Sequence, residues 1–198
     1  MPKTFPIGGI HPPENKLSAD TKCVRMPLPA TVTIPLSQHI GAPATPVVAK
    51  GDKVKTGQLI AQGAGFVSAN IHSSVTGTVS AVDTFVDAGG VRRPGITITA
   101  EQHEEYVEGI ETSERIVRDC QLEPKDIIGK ILSAGIVGMG GATFPSHVKL
   151  SIPEGKVAEY LVINGVECEP YLTADHRVML ERSEELLIGT RILARAIG

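Results

Sequence analysis

The sequence predicts a mixed fold, α+β or α/β, in which a β-rich module precedes an α/β domain. Short runs of β-type residues alternate with Gly, Pro and Asp turns between residues 31 and 105. Between residues 106 and 198, helical periodicities surround one glycine-rich loop and one short apolar run. Residues 1–30 contain too many prolines and glycines for a regular element. We therefore expect an irregular segment at 1–30, a β-rich domain at 31–105 and an α/β domain at 106–198.

The composition excludes several classes of function. The 198 residues carry a net charge of −3 at pH 7, and no Lys/Arg cluster indicates nucleic-acid binding. No run approaches 18 apolar residues, so the sequence predicts no transmembrane helix. The three cysteines are far apart and odd in number, which favours reduced thiols in the cytoplasm over disulfides. Their spacing is not that of a zinc or iron–sulfur site.

The β-rich module contains two half-motifs, residues 48–61 and 72–79, that resemble the biotinyl/lipoyl type of barrel-sandwich domain. Carrier members of that family have a lysine on the hairpin between the halves. Here the hairpin, Gln62 to Ile71, contains no lysine, so we expect a structural platform and not a swinging arm. His72 is then predicted to be a packing residue. The strands are predicted at 31–34, 46–49, 58–61, 74–79 and 95–99.

Helices are predicted in the second half of the chain. Apolar periodicity and capping residues place them at 115–122, 125–134, 173–180 and 183–197. The last helix carries an apolar stripe that needs a partner, and a βαβ unit requires a following strand. Because the sequence ends at Gly198, we expect the chain to be the N-terminal fragment of a longer protein, with the α/β domain truncated.

The glycine-rich loop runs from Gly135 to Lys149 and has four glycines in its first seven residues. Glycine lets the backbone approach a ligand closely, and a glycine loop that enters a helix N-terminus favours anions. Pro145 suits the first turn of that helix, and Lys149 adds a positive charge about one turn later. The loop therefore predicts a phosphate-bearing cofactor, with a tight interdomain turn as the alternative. Its spacing matches neither GxGxxG nor GxxxxGK[ST].

A second candidate site is an acidic turn. Residues 160–164 are predicted to form a short buried strand, which leads into a turn with Glu167 and Glu169. Polar groups that follow a strand lie where α/β sheets bind ligands. The Asn164 amide and the two carboxylates suit the N–H and hydroxyl groups of a ring cofactor or a ribose. Each acid alone is typical of a solvated turn, but together with the glycine loop they predict a cofactor site.

In combination, these motifs resemble the C subunit of the Rnf electron-transport complex. The segment from Gly8 to Lys16, the barrel-sandwich region, the glycine loop and the Asn-x-x-Glu-x-Glu-Pro turn at 164–170 occur in that order. The match spans nearly the whole chain. The last two motifs also resemble the flavoprotein subunit of respiratory complex I, where similar motifs hold FMN and admit NADH.

The resemblance implies a role for each site residue. Gly138, Gly140 and Gly141 would let the backbone approach the flavin and its phosphate, and Lys149 would pair with phosphate oxygens of FMN or NADH. Asn164 and Glu167 would contact the flavin, and Phe144 would stack against part of the nicotinamide nucleotide. Glu169 belongs to the same turn without a separate role.

The resemblance also implies cofactors and partners. The chemistry would be hydride exchange between NAD(H) and FMN, with single electrons passed to 4Fe-4S clusters and, indirectly, to ferredoxin. The chain would lie on the cytoplasmic face of the membrane with the other subunits of the complex.

Three features of the family's site are missing from the sequence. Met139 stands where the complex I loop usually has arginine, and the cluster motifs and a later Gly-Gly-Glu-type segment are absent. The fragment alone is therefore expected to bind FMN weakly or not at all. The alternatives are a soluble flavoprotein of the cobalamin-reductase type and a structural adaptor without a cofactor.

Overall fold

The computed structural model describes residues 12–113 and 115–198. Within these residues, strands come first and helices follow, as the sequence predicts. The order is β1 (Thr31–Pro35), β2 (Thr45–Pro46), β3 (Lys53–Val54), β4 (Leu59–Gln62), β5 (Ile71–His72), β6 (Gly77–Val86), β7 (Arg92–Ala100), α1 (Pro124–Ser133), α2 (Ser146–Leu150), α3 (Ala174–Glu181) and α4 (Ser183–Ala196).

The strands form two antiparallel sheets. The first has the order β1-β7-β6-β3, and the second has the order β2-β4-β5. In the first sheet, β1 pairs with β7 in the register Thr33 to Thr97, and β6 pairs with β7 along nearly its whole length. In the second sheet, Leu59 of β4 lies opposite His72 of β5.

The two sheets share one hydrophobic core. Isoleucine and threonine alternate along β7, so that Ile96 and Ile98 are 0% exposed while Thr99 faces solvent. Ile60 of the second sheet is also 0% exposed. The buried cluster consists of Ile34, Leu36, Ala44, Val54, Ile60, Ala61, Ile71, Val75, Val79, Ile96 and Ile98. Its β-branched side chains fit a pleated surface and stabilise both sheets.

Two predicted strands have different bounds in the structure. The strand predicted at 46–49 ends at Pro46, because the Asp52 carboxylate accepts the Ala49 N–H at 2.8 Å and favours a turn there. The strand predicted at 74–79 begins at Gly77, since the Ser73 hydroxyl bonds the Val75 carbonyl at 2.6 Å in a bend. It then continues to Val86.

Thr76 attaches the segment that follows β7 to the sheets. Its buried hydroxyl donates to the Glu105 carbonyl at 2.7 Å and accepts the Glu105 N–H at 2.8 Å. It also lies 3.2 Å from the Thr56 N–H. One side chain therefore satisfies backbone groups of two segments that lie far apart in sequence.

A second hydrophobic cluster joins the helices α1, α2 and α4. Its buried members are Ile127 and Ile131 of α1, Leu150 of α2 and Ala196 of α4. Pro124 occupies the first turn of α1, where its missing N–H costs nothing. Ile192, Leu193 and Ile197 pack against the cluster, so part of the predicted stripe on the last helix is covered.

The helix predicted at 115–122 is wrong. This segment is irregular, although the Ser113 hydroxyl bonds the Arg115 amide as a helix cap would. The Glu111 carboxylate accepts the Ser113 N–H at 2.9 Å, and the Ser113 hydroxyl accepts the Arg115 N–H at 3.3 Å. Only Cys120 and Leu122 of the segment pack against the second cluster.

The buried strand predicted at 160–164 is also wrong. The segment is not assigned to a strand, and Tyr160 and Val162 are each 84% exposed. A strand needs a hydrogen-bonded neighbour, and no strand within residues 12–113 and 115–198 pairs with this run. Apolar sequence alone therefore did not determine its conformation.

The contacts divide the chain into two compact units. One unit combines the described residues of Met1–Arg25 with Val162–Thr190, and the other combines Met26–Leu161 with Arg191–Gly198. In the first unit, the N-terminal segment lies against α3. Arg177 donates to the Ala19 carbonyl at 3.0 Å, and the Glu181 carboxylate accepts the Cys23 N–H at 3.0 and 3.2 Å.

None of the helices formed by the described residues has the length and apolarity that a membrane crossing requires.

Replacing Thr76 by valine is expected to lower the free energy of unfolding by about 1–3 kcal/mol, because the Glu105 N–H loses its acceptor and the Glu105 carbonyl loses one of its two donors. Thr33→Val is the matched control, since the Thr33 hydroxyl makes an exposed bond to Thr97. Its effect should stay within about 0.5 kcal/mol. Urea unfolding of both variants measures the difference. Equal effects would contradict the role of Thr76.

Glu181→Ala is expected to increase amide hydrogen exchange at Cys23 at neutral pH, because alanine leaves the Cys23 N–H without this acceptor. Glu159→Ala serves as an exposed carboxylate control. The Arg177 guanidinium and the Cys23 N–H hold the pKa of Glu181 below its ordinary value of 4.5. A carboxyl group whose pKa is lower in the folded than in the unfolded protein stabilises the fold at pH values above its unfolded-state pKa. This contribution is lost as the pH falls through the folded-state pKa. The exchange ratio between wild type and variant should therefore approach one in acid. A ratio that stays constant with pH would contradict this explanation.

Candidate functional site

The glycine loop is closed by backbone hydrogen bonds. The Gly138 N–H donates to the Phe144 carbonyl at 2.9 Å, and the Ser146 N–H donates to the Ile136 carbonyl at 3.0 Å. Val137 and Pro145 form an antiparallel bridge between these two bonds. The chain therefore leaves α1, turns back on itself and enters α2, with residues 139–143 at the tip.

The tip of the loop presents backbone amides to solvent. Gly140 and Gly141 have φ values of 85° and 58°, which glycine adopts without a steric cost. Within the described part of the chain, no acceptor bonds the N–H groups of Met139, Gly140 and Gly141. A Cβ at Gly141 would meet nothing within 4 Å. These donors are free to bind an anion.

Lys149 places its ammonium group over the loop. A Cβ at Gly138 would lie only 2.8 Å from Lys149 Nζ, so glycine at 138 is required for this approach. Lys149 is exposed, and among residues 12–113 and 115–198 it has no ion-pair partner. Its positive charge is therefore not neutralised by the described protein.

The helix that follows the loop differs from the prediction. Pro145 precedes α2 with an extended ψ of 124°, and α2 has only five residues. Such a helix contributes little dipole, so the positive potential comes from the loop amides and Lys149. Phe144 is half-buried and holds the loop closed through its carbonyl. The structure thus brings Gly138, Phe144 and Lys149 together.

The acidic turn, residues 164–170, belongs to the unit that contains the N-terminal segment. Its polar side chains form hydrogen bonds with nearby backbone groups. Asn164 Oδ1 accepts the Val166 N–H at 3.1 Å. Glu167 Oε1 accepts the His176 N–H at 3.1 Å in the first turn of α3. Since Thr173 makes no side-chain cap bond, Glu167 caps this helix from a distance. Asn164 and Glu169 are exposed, and Glu167 is half-buried.

Lys16 holds the acidic turn, a role that the sequence motifs did not reveal. Its Nζ donates to the Glu169 carbonyl at 3.0 Å and to the Leu172 carbonyl at 2.9 Å. The Tyr171 N–H also donates to the Glu14 carbonyl at 2.8 Å. The sequence feature that could have pointed to Lys16 was the family motif from Gly8 to Lys16. The contacts themselves leave no local pattern, because they join residues about 155 positions apart.

Backbone strain occurs at these same motifs. Of the described residues other than glycine, those with positive φ are Asn15, Thr143 and Tyr171, at 47°, 48° and 68°. Thr143 lies in the glycine loop, and Asn15 Nδ2 donates to the Tyr171 hydroxyl at 3.2 Å beside the acidic turn. Such conformations are unfavourable for residues with a Cβ, and they cluster at functional sites.

Three histidines of the described chain, His39, His72 and His147, are buried or half-buried and have structural positions. His72 is half-buried on β5, and burial lowers its pKa, as expected for the predicted packing residue. His39 and His147 are 7% and 4% exposed and bond backbone groups. The described residues contain no group of three or more His, Cys, Asp or Glu side chains that could hold a metal ion. His11 lies outside the described residues.

Comparison with known proteins connects these features to two families. Residues 3–103 match the RnfC barrel sandwich hybrid domain, and residues 131–198 match the Nuo51 FMN-binding domain. The predicted fold class, a barrel-sandwich module followed by part of a flavin-type domain, is therefore confirmed. The first match contains all seven strands described above, and the second contains the glycine loop and the acidic turn.

Curated relatives agree with both matches. The chain is 47% identical over its whole length to the C subunit of the proton-translocating ferredoxin:NAD(+) oxidoreductase complex of Clostridium ljungdahlii, and it covers 43% of that relative. It is 46% identical, over 96% of its length, to the C subunit of the ion-translocating oxidoreductase complex of Rhodobacter capsulatus, of which it covers 37%.

A third relative has a different ion in its name. The C subunit of the Na(+)-translocating ferredoxin:NAD(+) oxidoreductase complex of Acetobacterium woodii is 43% identical over 96% of the chain. The chain covers 43% of this relative, so it spans less than half the length of the three relatives described. The barrel-sandwich match extends over half of the chain, and together with these relatives it shows that the chain belongs to the RnfC family.

Proposed function

We propose that the chain forms part of the FMN- and NAD(H)-binding region of the C subunit in a membrane-associated, ion-translocating ferredoxin:NAD(+) oxidoreductase. The observation that carries this proposal is the glycine loop, where the backbone amides and the Lys149 ammonium group have no partner among the described residues. The Nuo51 FMN-binding match supplies the identity of the cofactor. The names of the relatives supply the redox partners.

The donor set of the loop fits a phosphate group. Phosphate oxygens accept hydrogen bonds from backbone N–H groups and pair with lysine as a point charge. The loop offers N–H groups at Met139, Gly140 and Gly141, and Lys149 Nζ lies directly over Gly138. The open space beside Gly141 leaves room for a ligand at the tip.

The acidic turn supplies a different kind of group. Asn164 and Glu169 are exposed, and Glu167 uses one carboxylate oxygen for α3, which leaves its second oxygen available to a ligand. These oxygens accept hydrogen bonds from ring N–H and ribose hydroxyl groups. We assign Asn164, Glu167 and Glu169 to contacts with the flavin, and Phe144 to a stacking contact with the nicotinamide nucleotide.

FMN, when bound, exchanges a hydride with NAD(H) and passes electrons singly to iron–sulfur clusters. In this proposal, the glycine loop and Lys149 hold the phosphate of FMN. The acidic turn orients the flavin ring and places negative charge near it. The 4Fe-4S clusters of this proposal would lie outside the described residues, which have no metal-binding cluster of their own. The other subunits of the complex would hold the protein on the inner face of the membrane, and ferredoxin would react indirectly.

Lys149→Met in the full-length protein is expected to raise the FMN dissociation constant roughly 10- to 100-fold, the equivalent of one charge-assisted hydrogen bond. Fluorescence titration of the apoprotein with FMN measures this change. Lys156→Met removes the same charge from an exposed position and serves as the control. An unchanged dissociation constant for Lys149→Met would contradict the phosphate assignment.

Glu167→Gln tests the acidic turn without removing the helix cap, because the glutamine oxygen still accepts the His176 N–H. A carboxylate near the flavin disfavours the electron-rich reduced form. Its neutralisation is therefore expected to raise the two-electron midpoint potential by about 30 mV, which corresponds to about 1.4 kcal/mol.

An anaerobic NADH titration of the full-length protein provides the measurement, with bleaching of the flavin absorbance as the signal. A protein without flavin that does not respond to NADH would contradict the proposed function and favour a structural adaptor. A bleaching flavin with an unchanged potential in Glu167→Gln would contradict only the assignment of Glu167.

A further inference from the structure

The hairpin tip that joins the two halves of the barrel-sandwich module, Gln62 to Asn70, contacts the helix that carries Lys149. His147 makes this contact. It is 4% exposed, and its Nε2 lies 2.9 Å from the Phe66 carbonyl oxygen. The rings of His147 and Phe66 also meet edge to face, with centroids 6.1 Å apart at 90°. The contact joins the region of the barrel-sandwich match to that of the FMN-binding match.

The hydrogen bond to the Phe66 carbonyl determines which ring nitrogen of His147 carries the proton. A carbonyl oxygen only accepts, so Nε2 must carry the proton and donate to Phe66. His147 is buried, so a substitution that leaves no N–H at this point removes the bond to the Phe66 carbonyl. The bond is therefore specific to a side chain that reaches this point with an N–H group.

The position of His147 on α2 links it to Lys149. The helix has five residues, of which His147 and Leu150 are buried, and Leu150 packs in the second hydrophobic cluster. Lys149 lies between these two anchors and is exposed over Gly138. A helix of little more than one turn has few internal hydrogen bonds, so its orientation depends on its anchors.

Further contacts immobilise the hairpin tip. His39 Nε2 accepts the Ala69 N–H at 3.1 Å, and Asn70 Nδ2 donates to the Ser133 carbonyl at 3.1 Å at the end of α1. The Ile40 N–H donates to Ala142 of the glycine loop at 3.2 Å. The tip, the loop and both ends of the α1–α2 connection are thus fixed to one another.

We propose that the hairpin tip Gln62–Asn70 positions the phosphate site, and that His147 is the positioning residue which, through its bond to Phe66, holds α2 so that Lys149 lies over the glycine loop. This inference rests on the proposed function, because it concerns the same phosphate contact. It assigns to the barrel-sandwich module a direct part in cofactor binding.

A double-mutant cycle on the full-length protein tests the proposal. His147→Leu is expected to raise the FMN dissociation constant about tenfold, because Lys149 loses its fixed position. In the Lys149→Met background the same change should alter the constant less than about twofold. A merely structural effect of His147 would have the same size in both backgrounds.

Two polar variants separate positioning from general destabilisation. The glutamine amide nitrogen reaches the position of Nε2, so His147→Gln should restore wild-type affinity. The shorter asparagine does not reach Phe66, so His147→Asn should bind FMN as weakly as His147→Leu and replaces it if the leucine variant does not fold. Ile60→Val, a core change away from the contact, controls for lost stability.

The outcomes distinguish this inference from the proposed function. Wild-type affinity in both His147→Leu and His147→Asn, or equal effects with and without Lys149, overturns the positioning role alone. Lys149→Met without effect on FMN binding overturns the phosphate assignment and the positioning role together. Coupling between the two sites, with rescue by glutamine, supports the proposal.

Discussion

The hydrogen bond from the Gly138 N–H to the Phe144 carbonyl closes the glycine loop, and the geometry of the candidate site depends on it. Because the loop turns back here, the amides of residues 139–141 lie at its tip, away from acceptors in the described structure. The same bond brings the start of α2 beside Gly138, where a Cβ would collide with Lys149 Nζ. The donors and the cation that lack partners among residues 12–113 and 115–198 are therefore consequences of one closed turn.

The acidic turn is organised by a different constraint, the need of backbone groups for partners. Glu167 takes a free amide of α3, and Lys16 takes two carbonyls that the turn leaves exposed. Glu167, which was predicted only as a ligand contact, thus also stabilises the local fold. A substitution at Glu167 changes both roles unless the acceptor oxygen is kept, which is why glutamine is more informative than alanine.

Sequence patterns predicted those parts of the fold in which local and tertiary preferences agree. The helices α3 and α4 lie almost where periodicity and capping place them, and the strands follow the alternation of Ile and Thr. The patterns failed where a competing interaction or a missing partner decided the conformation. The Asp52 carboxylate takes the Ala49 N–H where a strand was predicted, and residues 160–164 have no neighbouring strand among those described. The loop residues were identified by motif, but the contacts of Lys16 and His147 required the structure.

The hairpin without lysine is consistent with a fixed role for the barrel-sandwich module. A carrier requires a mobile tip, and this tip is held at Phe66, Ala69 and Asn70 by three separate hydrogen bonds. Each bond leads toward the region around the glycine loop, through His147, His39 and Ser133. A tip fixed at three points cannot move a cofactor, but it can hold a short helix in a defined orientation. The contacts that exclude a swinging arm therefore favour a rigid support for Lys149.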